Sequence, residues 1–154
     1  MKRLFIYFLR FCVILFGYLA ACLAAGAFLN VLVLGWLGLT SEESRQAAGG
    51  SALFSVPLTA LFISYFAFIP GMVAIFAAEF LRRRDWLYHA AAGAAVALIA
   101  LLMRGPAADG EAMSGGSGPM LAVLAAGLVG GIAYWAVSGR FAGSWRPTAI
   151  SPGR

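Results

Sequence analysis

Residues 11–39 carry no charged side chain, and Leu4 to Leu9 extend that apolar run backwards past Arg10. Three further apolar runs follow: 52–81, where Glu79 is the sole charge, then 86–103 and 120–138. About 20 apolar residues make a helix long enough to cross a hydrocarbon core of about 30 Å. A water-soluble core built from 154 residues cannot hide four such segments. Lipid can, because it solvates the apolar faces while the helices satisfy their own backbone groups. The composition agrees. The chain is 62% hydrophobic and only 11% charged, against about 25% charged in soluble domains, and its mean hydropathy is +0.90. Barrel strands are excluded, because they alternate apolar and polar residues over about 10 positions and these runs do not. The expected fold is all-α: a polytopic four-transmembrane-helix bundle with antiparallel neighbours. It forms one membrane domain over 1–154, with a short tail at 139–154 and no soluble domain.

The connections set the orientation. Residues 40–50 read TSEESRQAAGG, 82–85 read RRRD, and 104–119 read RGPAADGEAMSGGSGP. The last is rich in Gly, Ser and Pro and reads as a flexible loop. With the N-terminus inside, Lys2, Arg3, Arg10, Arg82, Arg83, Arg84, Arg140, Arg146 and Arg154 fall on the inner side, nine of eleven basic residues. Only Arg45 and Arg104 fall outside, with Glu42, Glu43, Asp109 and Glu111. Basic residues accumulate in short cytoplasmic loops, so both termini are expected in the cytoplasm. The net charge of +5 is then a topology signal that meets anionic lipid head groups. It does not suggest a nucleic-acid partner, since no basic patch is interleaved with aromatics on a soluble surface.

Lys2 and Arg3 before an apolar run resemble a signal peptide, and Leu19-Ala20-Ala21-Cys22 resembles a lipoprotein cleavage box. The apolar sequence continues through Leu39, which favours an uncleaved signal-anchor helix. Arg3, Tyr7 and Arg10 share one helical stripe, which predicts that Leu4 to Leu9 lie partly in the interface before the chain turns inward. At 1.5 Å per residue, 11–39 would extend about 43 Å, so the first span is expected to tilt or to break near Asn30. Cys12 and Cys22 are about 15 Å apart along that helix, too far for a mutual disulfide.

Small residues mark where helices meet. Gly127 and Gly131 form a GxxxG pair in the fourth span, and Gly93 and Ala97 a small-xxx-small pair in the third. Such positions let backbones approach closely, within one bundle or between copies. Pro70-Gly71 predicts a kink in the second span, since Pro70 lacks an N–H and crowds the preceding turn.

The four-residue RRRD connection makes the second and third spans a tight hairpin. It brings Glu79 and His89 to similar depth. Tyr134 continues the Gly127–Gly131 stripe and lies about 9 Å inward of Arg140, with Cys12 at similar depth. Glu79, His89 and Tyr134 are thus a candidate polar cluster. Ionisable groups within spans are costly and often functional, which suggests a proton-linked or substrate-contacting site. The local alternative pairs Glu79 with Arg82 or Arg83 at i+3 or i+4 and leaves His89 in the head-group layer beside Trp86 and Tyr88.

No metal, cofactor or catalytic set is expected. One His and one Glu are too few ligands, and no CxxC, HExxH, GxSxG, Walker or dinucleotide-binding pattern occurs. The Gly115–Gly118 GGSG is followed by no Lys-Ser/Thr and is not a phosphate cradle. The last span and its exit read YWAVSGRFAG from Tyr134 to Gly143, followed by Ser144-Trp145-Arg146. This resembles the C-terminal end of uncharacterised four-span inner-membrane proteins of Gram-negative bacteria. Those also carry a Pro-centred second span ending in an acid and a basic turn, matched by Pro70, Glu79 and Arg82. The resemblance implies the topology and no particular activity. Two functions follow from the sequence: a non-enzymatic accessory or scaffold protein that packs with itself or a larger membrane complex, or a small oligomeric transporter or channel using Glu79, His89 and Tyr134. A deep pocket reaching the midplane would favour transport, and a dry bundle with polar groups at the rim would favour the scaffold.

Overall fold

A computed structural model describes residues 2–36, 42–103 and 118–142. The loop at 104–117 and the tail from 143, Arg146 included, lie outside them, as do the side chains of Lys2 and Arg3. Four helices are present among the described residues: α1 Lys2–Trp36, α2 Glu42–Leu81, α3 Trp86–Met103 and α4 Gly118–Val137, then a 3-10 turn Gly139–Phe141. All four are long and apolar enough to cross a membrane.

One expectation about the first helix is corrected, and the second helix starts earlier than its apolar run. Helix α1 is a single helix of 35 residues, about 52 Å long. Leu4 to Leu9 belong to it and do not turn aside, and it does not break at Asn30. The Asn30 amide instead donates to the Gly26 carbonyl (2.8 Å) and to Thr59 Oγ1 (3.3 Å), while Ser55 Oγ donates to Asn30 Oδ1 (2.6 Å). A polar residue that finds such partners on a facing helix holds two helices together. Helix α2 begins at Glu42, ahead of the apolar run at 52–81, because Glu, Arg, Gln and Ala in EESRQAA are good helix formers whatever their hydropathy; its stretch long and apolar enough to cross a membrane is Gly49–Leu81. It runs through both Pro57 and Pro70. Pro70 and Gly71 are buried, and a Cβ on Gly71 would come within 3.3 Å of the Tyr18 ring.

Helix ends follow from local chemistry. Helix α2 stops at Leu81, and Arg82 takes the left-handed conformation (φ 52°). The Arg83 N–H then donates to the Ala78 carbonyl at 3.0 Å, closing the Schellman arrangement that caps exposed carbonyls. Asp85 stands at the N-cap position of α3, where an aspartate is favoured. Pro119 lies in the first turn of α4, where its missing N–H has no cost.

The helices pack in the spatial order α2, α1, α4, α3, and α2 and α3 close the ring only loosely. Glycine makes each tight seam. A Cβ on Gly93 would run into the Gly127 carbonyl oxygen, and one on Gly131 into the His89 carbonyl oxygen. A Cβ on Gly127 would lie 2.7 Å from the Ala97 methyl. All four small positions singled out in the sequence therefore lie in the α3–α4 contact. Gly130 fits against the Ala21 carbonyl (3.1 Å) between α4 and α1, and Gly26 against Val56 and Ala60 (3.1 Å each) between α1 and α2. Partition is inverted relative to a soluble protein. The interior holds Ala25, Ala60, Ala78 and Ala126 with Glu79, His89 and Ser138, while Phe54, Tyr65 and Phe80 stand more than 70% exposed.

Candidate functional site

At one end of the bundle each helix contributes a polar side chain. Arg10 comes from α1, Glu79 from the last turn of α2, His89 from the first turn of α3, and Tyr134 from the end of α4, followed by Ser138. Glu79, His89, Tyr134 and Ser138 are all buried.

Glu79 does not pair with Arg82 or Arg83. Its Oε1 accepts from Arg10 Nη2, and the two side chains are 10% and 12% exposed. The reason is backbone geometry. Pairing at i+3 or i+4 presupposes a continuing helix, and α2 ends at Leu81, so the chain leaves the helix axis before reaching those arginines. Arg83 lies instead 3.9 Å from Asp85 on the exposed turn. Arg84 donates through Nε to the Ala142 carbonyl (3.0 Å), and its own carbonyl accepts from Trp135 Nε1 (2.6 Å). These bonds fasten the α2–α3 turn to the end of α4.

His89 stacks on Tyr134 with ring centroids 5.6 Å apart and 23° between planes. Its Nδ1 lies 2.9 Å from the Asp85 carbonyl. A carbonyl only accepts, so Nδ1 carries a proton. Nε2 is buried without a hydrogen-bond partner. It faces Gly139, where a Cβ would stand 2.7 Å away. Ser138 Oγ and Arg10 Nε are likewise buried and unpartnered. The expected trio therefore shares one end of the bundle, with His89 against Tyr134 and Glu79 held by Arg10. Cys12 is not a member, because its side chain is exposed on the outer face of α1.

No known protein family, curated protein or solved structure matches the chain. Function therefore rests on the site alone.

Beneath the cluster lies a cavity of about 590 Å³ bounded by all four helices. It extends from His89 and Tyr134 to Leu29, Leu101 and Val123, and no Asp, Glu, Lys or Arg lines it. Tyr18, on its wall, donates to the Ser64 carbonyl at 2.8 Å. No group of three His, Cys, Asp or Glu side chains among the described residues is arranged to hold a metal ion. The arrangement can hold a fixed charge pair and accommodate an apolar molecule.

Sequence reasoning missed Arg10 as a partner, Ser138 and Gly139. For Arg10 a signal existed. It is the one cation inside the apolar stretch from Leu4 to Leu39, and Glu79 is the one acid inside any span. Two opposite charges each too costly to leave alone in lipid are expected to meet. Ser138 and Gly139 carried no comparable signal, since their roles depend on the 3-10 turn that follows α4.

Proposed function

We propose that this chain is a polytopic protein of a bacterial inner membrane. Its helices cross antiparallel, both termini lie in the cytoplasm, and it serves as a non-enzymatic accessory protein packing with a larger membrane complex or with itself. The inverted partition of side chains supports the membrane assignment, because a soluble protein does not expose a continuous apolar surface. The contact registers support antiparallel neighbours: Arg10 meets Glu79 while Asn30 meets Ser55, and His89 meets Gly139 while Ala97 meets Gly127. The arginines at the cluster end support a cytoplasmic placement of that end. The bacterial assignment rests on the resemblance carried by residues 134–146 and by Pro70, Glu79 and Arg82.

The observation that carries the accessory role is the closure of the polar cluster. Glu79 is committed to Arg10, and the cavity beneath contains no charged side chain, so a single copy offers an ion no polar path. The depth of that cavity favours the second reading, a transporter, for an apolar cargo only. Purification of the tagged chain in mild detergent tests the choice. A stoichiometric membrane partner or a defined homo-oligomer is expected. A partnerless monomer that drives solute flux in proteoliposomes would overturn the accessory role.

A further inference from the structure

Helices α2 and α3 are joined by a four-residue turn, yet they pack against each other least of the neighbouring pairs. The other seams are zipped by glycine, and this one is not. Two cavities lie along it. The first is the interior cavity of about 590 Å³, and the second, of about 400 Å³, lies between Pro70, Val73 and Ala77 on α2 and Ala91, Ala95 and Ile99 on α3. Ala74, Tyr88, Ala92 and Val96 line both. The bundle interior is therefore separated from its outer face by four side chains, two of them alanines. A space of this size is typical of small-molecule sites, about 300–1,000 Å³. Apolar walls leave it to hydrocarbon, since water there would lack polar partners.

The seam has a charged end. Its last lining residues, Ala77 and Tyr88, stand about 6 Å and about 5 Å along their helices from Leu81 and Asp85. The turn that closes it carries Arg82, Arg83 and Arg84. Arg84 is bonded to Ala142, and Arg83 lies near Asp85. Arg82 is exposed, and no acid among the described residues lies within ion-pair range of it. It also occupies a left-handed position that ordinarily selects glycine. An arginine held there despite the backbone cost puts an exposed basic residue in the turn that closes the apolar slot. Guanidinium and phosphate match in charge and geometry.

We propose that the α2–α3 seam binds an anionic membrane phospholipid, with an acyl chain in the seam cavity and its phosphate at Arg82. The site rests on the membrane reading but not on the accessory role. The test is native mass spectrometry of the full chain in mild detergent, with phosphatidylglycerol and phosphatidylcholine of identical acyl chains added in equal amounts. Preferential retention of phosphatidylglycerol is expected. Arg82→Gly should reduce that preference about fivefold, the contribution of one basic residue near an anionic surface, while leaving the fold intact or more stable, because glycine suits the position. Ala92→Phe should abolish retention of both lipids by filling the wall that the two cavities share. Equal retention of the two lipids overturns the proposal. So does an unchanged preference in Arg82→Gly, a readout that survives even if Ala92→Phe does not fold. Lipid retention is measured on the purified chain whether or not a protein partner is found, so the two readings fail separately.

Discussion

Replacing Glu79 with Gln strips the Arg10 guanidinium of its ion-pair partner. Exposed pairs contribute about 0–1 kcal/mol, whereas breaking a buried pair by removing one partner costs about 3–5 kcal/mol. Side-chain exposures of 10% and 12% put this pair in the second class. Arg10 Nε has no other partner to fall back on. The pair lies near the end of the bundle, where a freed guanidinium can snorkel toward the head groups, so the low end applies. We expect Glu79→Gln and Arg10→Gln each to cost about 3 kcal/mol. The double variant Arg10→Gln/Glu79→Gln should recover most of that loss, since a neutral pair leaves no uncompensated charge. The assay is SDS titration in mixed micelles, followed by circular dichroism and analysed as a double-mutant cycle. A Glu79→Gln cost below about 0.5 kcal/mol, or single effects that simply add in the double variant, would refute the buried-pair reasoning.

Other consequences follow from the same packing. Gly93→Ala and Gly127→Ala should each destabilise by about 1–3 kcal/mol, because the added carbon meets backbone on the facing helix; an unchanged SDS midpoint would mean that α3 and α4 do not approach this closely. Asn30→Leu should cost about 1–2 kcal/mol by removing its bonds to Ser55, Thr59 and Gly26, and the same titration reads it. His89→Phe keeps a ring on Tyr134 and removes the unpartnered Nε2, so stability should stay within about 1 kcal/mol of the parent. If His89→Phe folds normally but fails to complement a deletion phenotype, the transport reading gains.

The spans were legible because hydropathy measures what lipid demands. Residues 86–103 coincide with α3, and 120–138 nearly with α4. The start of α2 was not legible in this way, because EESRQAA is polar and helical at once and hydropathy reports only the first property. The excess length of the first span left both a tilt and a break near Asn30 open; the bonds of Asn30 to Ser55 and Thr59 on α2, which keep the helix whole there, depend on packing between helices. The polar cluster was legible in its depth along the helices, since short connections fix depth. Its pairing was not. Arg10 and Glu79 are far apart in sequence, and the local alternative at Arg82 and Arg83 fails only because the helix ends in a left-handed arginine, where a glycine would have announced the cap.

Topology mapping tests the central claim most directly. A fluorescent protein fused after Arg154 should be bright and an alkaline phosphatase at the same place inactive, while a phosphatase inserted between Glu111 and Gly118 should be active. That pattern places four crossings with both termini, and therefore the Arg10–Glu79 end, in the cytoplasm. An active phosphatase after Arg154 would contradict the four-span account.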